Sequence, residues 1–165
     1  MKHTLSVLVE NHAGVLSRVA GLFSRRGFNI DSLAVGPTQN PKISRMTIVV
    51  DGDEYIVEQV EKQLNKLIPV IKVKVLEPGT FVSSELMLIK IACKSKQHAE
   101  VLNVARLMGA DVIDVATSSI TLRFAGDEEQ SRTLLNLLTP YGIREVVRAG
   151  SLAIEKGSGI LKKEQ

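Results

Sequence analysis

The chain has 165 residues, of which 44% are hydrophobic and 24% charged, so it can bury a core and is not disordered. Only 4% are aromatic and none is Trp, which argues against a surface that stacks bases or sugars on rings. The net charge is +3, with ten basic and seven acidic groups in residues 1–76 and eleven of each in residues 77–165. This small imbalance without a basic block argues against nucleic acid as the main partner.

The cysteine count and the N-terminal sequence indicate in which cellular compartment the protein is expected. Cys93 is the single cysteine, so no intrachain disulfide can form, which is typical of a reducing cytoplasm. Residues 1–9 are too short and too polar for a signal peptide, and no apolar run approaches the roughly 20 residues that span a bilayer. We therefore expect a soluble, cytoplasmic protein.

Residues 1–76 predict the order strand, helix, strand, strand, helix, strand. Leu5, Val7 and Val9 alternate as in a strand, whereas the apolar residues from Val15 onward follow a helical period that Gly27 ends. The remaining predicted elements are strands over Asn29–Val35, Arg45–Val50 and Val70–Leu76, and a helix over Val57–Leu67 closed by Pro69. This order predicts an antiparallel four-stranded sheet with two helices on one face.

The second half repeats the order after a linker at residues 77–82. The predicted elements are strands over Leu86–Cys93, Asp111–Ala116, Ile120–Ala125 and Ile143–Val147, a helix ended by Gly109, and a helix over Glu128–Leu138. The tail from Lys156 is polar and expected to be mobile. The fold class predicted is α+β, with two consecutive ferredoxin-like βαββαβ domains over residues 1–76 and 83–165.

Residues suited to catalysis or metal binding are scarce. His3, His12 and His98 have no metal-ligand spacing with Cys93 or with paired carboxylates. Residues 127–129 (DEE) are interpreted as the acidic first turn of a helix, and no phosphate-binding or dinucleotide-binding glycine motif is present. We therefore predict neither catalytic nor metal-binding residues.

The turn Asn11–Gly14, between the first strand and the first helix, is the best candidate for a ligand site. A glycine at a helix start lets a ligand approach the unpaired N–H groups, and the helix dipole favours an anion such as a carboxylate. Asn11 could cap the turn or offer its amide to a ligand. We expect the strand that begins at Asn29 to lie beside the first strand, which would bring Asn29 near the same edge. The alternative is an ordinary glycine turn with an Asn cap and nothing bound.

Two stretches carry a family resemblance. Residues 10–19 (ENHAGVLSRV) and 22–33 (LFSRRGFNIDSL) resemble the start of an ACT domain, and more narrowly that of the small regulatory subunit of acetolactate synthase (acetohydroxyacid synthase). Residues 44–48 (SRMTI) and 58–67 (EQVEKQLNKL) are similar to later motifs of that family. The sequence departs at Ala13, where the family most often has proline, which implies a change in the stiffness of the turn.

The resemblance implies a regulatory protein without catalytic activity of its own. A separate large subunit would hold thiamine diphosphate, FAD and Mg²⁺ and condense pyruvate with a second 2-oxoacid. The small subunit would form a homodimer through its ACT domain, raise the large subunit's activity and confer feedback inhibition by a branched-chain amino acid, usually valine. Carried over by position, the valine site would comprise Asn11, His12, Ala13, Gly14, Val15 and Leu16 of one chain with Asn29 and Ile30 of the other.

Two other classes of function stay open at this point. One is a stand-alone ACT-type amino-acid sensor that has no catalytic partner. The other is a ferredoxin-like RNA-binding module, although the central strands have Leu5, Val7, Ile48 and Val50 where that class would expose aromatic rings. We expect residues 77–165 to modulate valine sensitivity more than activation.

Overall fold

The chain passes through two α+β units, and the computed structural model describes residues 1–162. One unit comprises Met1–Val82 together with the chain from Ser151 onward, and the other comprises Ser83–Gly150. The last three residues of the predicted polar tail, 163–165, lie outside the described residues.

Residues 1–76 of the first unit contain two helices and four strands, and these four strands form one sheet. These elements are β1 (Lys2–Glu10), α1 (Val15–Arg26), β2 (Ile30–Pro37), β3 (Ile43–Asp51), α2 (Glu54–Asn65) and β4 (Val70–Leu76). The strand order is β2-β3-β1-β4, and every neighbouring pair is antiparallel. This is the split βαβ order that the sequence predicted.

One face of this sheet and the two helices enclose the first core. The alternation of β1 directs Leu5, Val7 and Val9 toward the helices, where they meet Val19 and Phe23 of α1. Both helices have defined ends: Gly27 stops α1 in the left-handed conformation (φ 68°), and Asp53 caps α2 by accepting a 2.9 Å hydrogen bond from the N–H of Ile56.

The second unit repeats the order with its own core. Its elements are β5 (Phe81–Ala92), α3 (His98–Met108), β6 (Asp111–Ala116), β7 (Ser119–Gly126), α4 (Glu128–Leu138) and β8 (Ile143–Arg148). The strand order is β6-β7-β5-β8, and a further strand, β9 (Leu152–Glu155), pairs with β5. Asp127 and Gln130 form a reciprocal capping box at the start of α4, which confirms the helix start predicted at residues 127–129.

The structure differs from the sequence prediction at two domain boundaries. Strand β5 begins at Phe81, inside the predicted linker. At the other end, the second domain was expected to continue to residue 165, whereas the chain from Ser151 groups with the first unit and forms β9 (Leu152–Glu155). Four alternating residues were too short a signal to predict this strand from sequence.

The helices of this protein are short. No helix in residues 1–162 is long and apolar enough to cross a membrane.

The core assignment predicts a large loss of stability for Leu64→Ala. Leu64 of α2 is fully buried, so its truncation should lower the free energy of unfolding by about 2–5 kcal/mol, measured by chemical denaturation of the full chain. Ile68→Ala is the matched control, since the Ile68 side chain loses as many carbon atoms but is 89% exposed. Its effect should stay within about 0.5 kcal/mol. Similar losses for both variants would contradict the core assignment.

Candidate functional site

The candidate site is the exposed turn between β1 and α1. Gly14 is the residue that precedes the helix, and it adopts a left-handed conformation (φ 87°) that side chains other than glycine rarely adopt. No side chain caps the helix start, and its first turn has no acidic residue. The N–H of Val15 lies 3.5 Å from the carbonyl of His12, at the limit for a hydrogen bond.

This helix start is suited to an anion. The N–H groups of the first turn have no partner within the helix, and the helix dipole places partial positive charge at their end. A Cβ atom placed on Gly14 would have no heavy atom within 4 Å, so there is open space above the turn. A carboxylate can approach the backbone there without a steric barrier.

Asn11 is fixed to a neighbouring loop rather than to the helix. Its Nδ2 donates a 2.8 Å hydrogen bond to the carbonyl of Pro41, and its backbone N–H donates to the carbonyl of Lys42. The interpretation of Asn11 as a helix cap is therefore wrong. The amide group is held in place through its nitrogen, which leaves its oxygen as an acceptor for a ligand's ammonium group.

His12 forms two short contacts with oxygen acceptors. Its Nε2 lies 2.8 Å from a carboxylate oxygen of Glu10, and its Nδ1 lies 3.1 Å from the carbonyl of Ala13. The pKa of His12 is raised above its usual value of 6.5, chiefly by the hydrogen bond to Ala13 and then by the one to Glu10. Both contacts favour the doubly protonated ring.

The apolar residues of the turn differ in exposure. Leu16 is 46% exposed and offers an aliphatic surface beside the helix start. Val15 is buried in the core of the first unit, so only its backbone can contribute to a site. Ala13 is exposed.

Asn29 and Ile30 lie far from this turn within one chain. We expected β2 to lie beside β1, but β3 separates them in the sheet order, so that expectation is wrong. Since β3 is antiparallel to both, β1 and β2 run parallel, and Ile30 stands level with His3. The start of β2 is therefore seven residues, or about 23 Å along the strands, from the end of β1. The exposed Asn29 and the partly buried Ile30 cannot complete the site of their own chain.

Metal binding and thiol chemistry are the other possibilities for the reactive side chains of the described residues. Within residues 1–162, no group of three or more His, Cys, Asp or Glu residues could hold a metal ion. Cys93 is buried in the core of the second unit, and burial raises the pKa of its thiol. His98 lies 3.3 Å from the carbonyl of Cys93, so this pair has a structural role.

The face of the first sheet opposite the helices has no aromatic side chain on its central strands. Leu5, Val7, Ile48 and Val50, the positions compared with RNA-binding modules, all face the helices instead. The other face has Ser6 of β1 and its register partner Thr47 of β3, both buried. The RNA-binding alternative lacks its stacking surface on either face.

Sequence reasoning missed the contact between Asn11 and the loop that holds it. Pro41 and Lys42 use only backbone carbonyls in this contact, so no side-chain type at those positions indicated it. Asn40 shapes this loop by accepting a hydrogen bond from the N–H of Lys42 through its Oδ1, which is a common turn role of Asn.

Two family models match successive parts of the chain. Residues 5–72 match the family described as "AHAS small subunit-like ACT domain", and this range includes the turn and all of α1 and α2. Residues 84–157 match the family described as "Small subunit of acetolactate synthase".

Similar proteins cover nearly the whole chain. The "Probable acetolactate synthase small subunit" of Archaeoglobus fulgidus is 47% identical over 158 residues, which are 96% of this chain and 99% of the relative. The "Acetolactate synthase small subunit" of Mycolicibacterium smegmatis is 49% identical over 155 residues, 94% and 91% of the two chains. The crystal structure of the acetolactate synthase small subunit from Thermotoga maritima has a TM-score of 0.88 at 34% identity and covers 96% of this chain and 99% of that chain. With such similarity over almost its full length, the chain belongs to the family of acetolactate synthase small subunits.

Proposed function

We propose that the chain is a non-catalytic regulatory subunit that binds the large subunit of acetolactate synthase, raises its activity and makes that activity sensitive to valine. The observation that carries the proposal is the uncapped helix start at Gly14 in a chain of this family. Thiamine diphosphate, FAD and Mg²⁺ would belong to the large subunit, where the condensation takes place.

The turn offers a complementary group for each part of an amino acid. The carboxylate would accept hydrogen bonds from the N–H groups of the first turn of α1. The ammonium group would donate to the amide oxygen of Asn11, whose nitrogen is fixed at Pro41. The isopropyl group would pack on Leu16, which is half-exposed in the free chain. Because one methylene changes binding by only about 1–3 kcal/mol, leucine and isoleucine should bind more weakly than valine and still measurably.

A second chain would supply the other half of the site. Strand β2 is an edge of the first sheet, with one neighbour, β3, in the described chain. If two β2 edges pair antiparallel about a two-fold axis between Leu33 and Ala34, Ile30 of one chain stands opposite Pro37 of the other. Pro37 is aligned with Ser44, which is aligned with Val9 at the end of β1. This brings the second chain's Asn29 within about three strand spacings (~14 Å) of β1, close enough for the turn and Asn29 to enclose a small ligand.

Such a site connects ligand binding to the dimer. An amino acid held between two chains binds best to one arrangement of them, and it shifts the population toward that arrangement. A coupling free energy of about 1–3 kcal/mol is typical of such regulation. We propose that valine favours the arrangement that fits the large subunit less productively.

The direct experiment measures acetolactate formation by the purified large subunit of the same organism across a valine titration, with and without this chain. We expect activation by the chain and its suppression by valine. Activation without a valine response would support the large subunit as the partner and contradict valine as the ligand. No activation at any ratio of the chains would contradict the proposal and favour a stand-alone amino-acid sensor.

A charge at the turn should abolish the valine response. In Gly14→Asp the new carboxylate would oppose the ligand's own, so we expect the half-inhibitory valine concentration to rise by at least about tenfold. Gly14→Asn is the matched control because Asn has the same size and tolerates the left-handed conformation without a charge. A Cβ atom at this position has no heavy atom within 4 Å, so both side chains begin in open space. Equal losses in both variants would show that the backbone, and not the charge, is responsible.

Mixed dimers should show whether two chains share one site. Gly14→Asp damages the turn, and Asn29→Ala damages the other half. Each variant alone should bind valine poorly. In a mixed dimer, one of the two sites combines an undamaged turn with an undamaged Asn29, so calorimetry should recover one valine site per dimer. Failure of the mixture to recover binding would contradict a site made by two chains.

A further inference from the structure

The last strand of the described chain, β9, pairs with β5 and crosses the first sheet on the face opposite the helices. We call Ser151–Lys156 the C-terminal clasp. Its first residue contacts β2, where the N–H of Ser151 donates a 2.8 Å hydrogen bond to Oγ of Ser32. Its middle contacts β3, where Nη2 of Arg45 donates to the carbonyl of Ala153 over 3.2 Å. The clasp therefore begins at the edge strand and runs toward the centre of the sheet.

The far end of the clasp reaches β4 and the turn that follows it. Glu155 forms a 2.6 Å ion pair with Lys74 of β4. The N–H and Nζ of Lys156 donate 2.9 Å hydrogen bonds to the carbonyls of Thr80 and Gly79. The contacts to β2, β3 and β4 thus come from six consecutive residues. Their side chains alternate in direction: Ala153 and Glu155 face the sheet, and the intervening side chains are exposed.

Charge holds this end of the clasp in place. The Glu155 side chain is only 16% exposed, so its carboxylate is largely removed from water and relies on its cations. Arg45 is the second cation: burial lowers its pKa, and the charge of Glu155 opposes that effect. Nε of Arg45 is buried without a hydrogen-bond partner, so the guanidinium depends on its contacts with the clasp. Loss of the Glu155 charge would weaken both attachments.

The other end of the clasp is attached beside the proposed site. Ser32 lies two residues after Ile30, and the register between β2 and β3 shifts between these two residues. Such a bulge leaves one residue out of the ladder and bends the strand locally. The hydrogen bond from Ser151 therefore fixes β2 at its irregular point, next to the half of the site that would be donated to a second chain.

We propose that the C-terminal clasp couples the start of β2 to the second unit, so that its release uncouples valine binding from regulation. The chain enters the clasp directly from the second unit, since Gly150 is the last residue of that unit. If ligand binding shifts β2, the hydrogen bond between Ser32 and Ser151 would transmit that shift to the backbone that leads to the second unit. This inference rests on the proposed function for its ligand, while the coupling between clasp and β2 stands on the contacts alone.

Glu155→Gln tests the coupling because it removes the charge and retains the shape. Ser32→Ala releases the opposite end, so the test does not depend on one variant folding. Glu145→Gln is the matched control: Glu145 also lies in a strand and faces a lysine, Lys90, at 3.8 Å, but its side chain is 65% exposed. Hydrogen exchange of the full chain reports on residues 28–37 and 148–162, and the assay with the large subunit reports activation and valine inhibition.

We expect Glu155→Gln and Ser32→Ala to accelerate exchange in both segments, to leave activation unchanged and to raise the half-inhibitory valine concentration by at least about fivefold. Glu145→Gln should behave as wild type. Faster exchange in both segments together with an unchanged valine response would overturn the proposal. If the wild type neither activates the large subunit nor responds to valine, the proposed function is wrong. Hydrogen exchange of residues 28–37 then tests the coupling by itself, and unchanged exchange rates in the two variants would overturn it.

Discussion

The position of β3 between β1 and β2 is the constraint on which the rest of the first unit depends. A strand antiparallel to two neighbours makes those neighbours parallel, so the end of β1 and the start of β2 lie at opposite ends of the sheet. Within residues 1–162, the same order leaves β2 at an edge of the sheet, with β3 as its one neighbouring strand. A ligand site that needs both ends can then form only when a second copy reverses the direction of β2. The proposal of a site made by two chains therefore rests on sheet topology, before any side chain is considered.

Local signals in the sequence predicted the elements well. Strand β4 and helix α4 have the predicted bounds, because alternation in one and a capping box with an apolar face in the other depend only on residues close in sequence. Gly27 and Gly109 end their helices in the left-handed conformation, as predicted for glycines after an apolar helical stripe. These signals were sufficient to identify the α+β class and both halves of the repeat.

Contacts between distant residues were beyond such reasoning. The neighbour of β2 depends on pairing between strands, which periodicity does not specify. The prediction that β2 lies beside β1 therefore placed Asn29 at the wrong end of the sheet. Strand β9 depends on pairing with β5 and on contacts with Ser32 and Arg45, more than 100 residues earlier. Its carboxylate, Glu155, could equally have belonged to a solvated tail. The turn at Gly14 was recognisable because backbone conformation at a glycine is local. The fixed orientation of Asn11 was not, since it depends on a carbonyl 30 residues away.

The position of the clasp at the end of the chain has a consequence for biosynthesis. Ribosomes make the N-terminal part first, and domains generally fold as units as they emerge. The four strands of the first sheet and the two helices on it are complete at Leu76. The segment that crosses the sheet follows only after another 74 residues. During that interval the nascent chain exposes Arg45 and Lys74 without their carboxylate. The first unit thus lacks these contacts until the second unit has been synthesised.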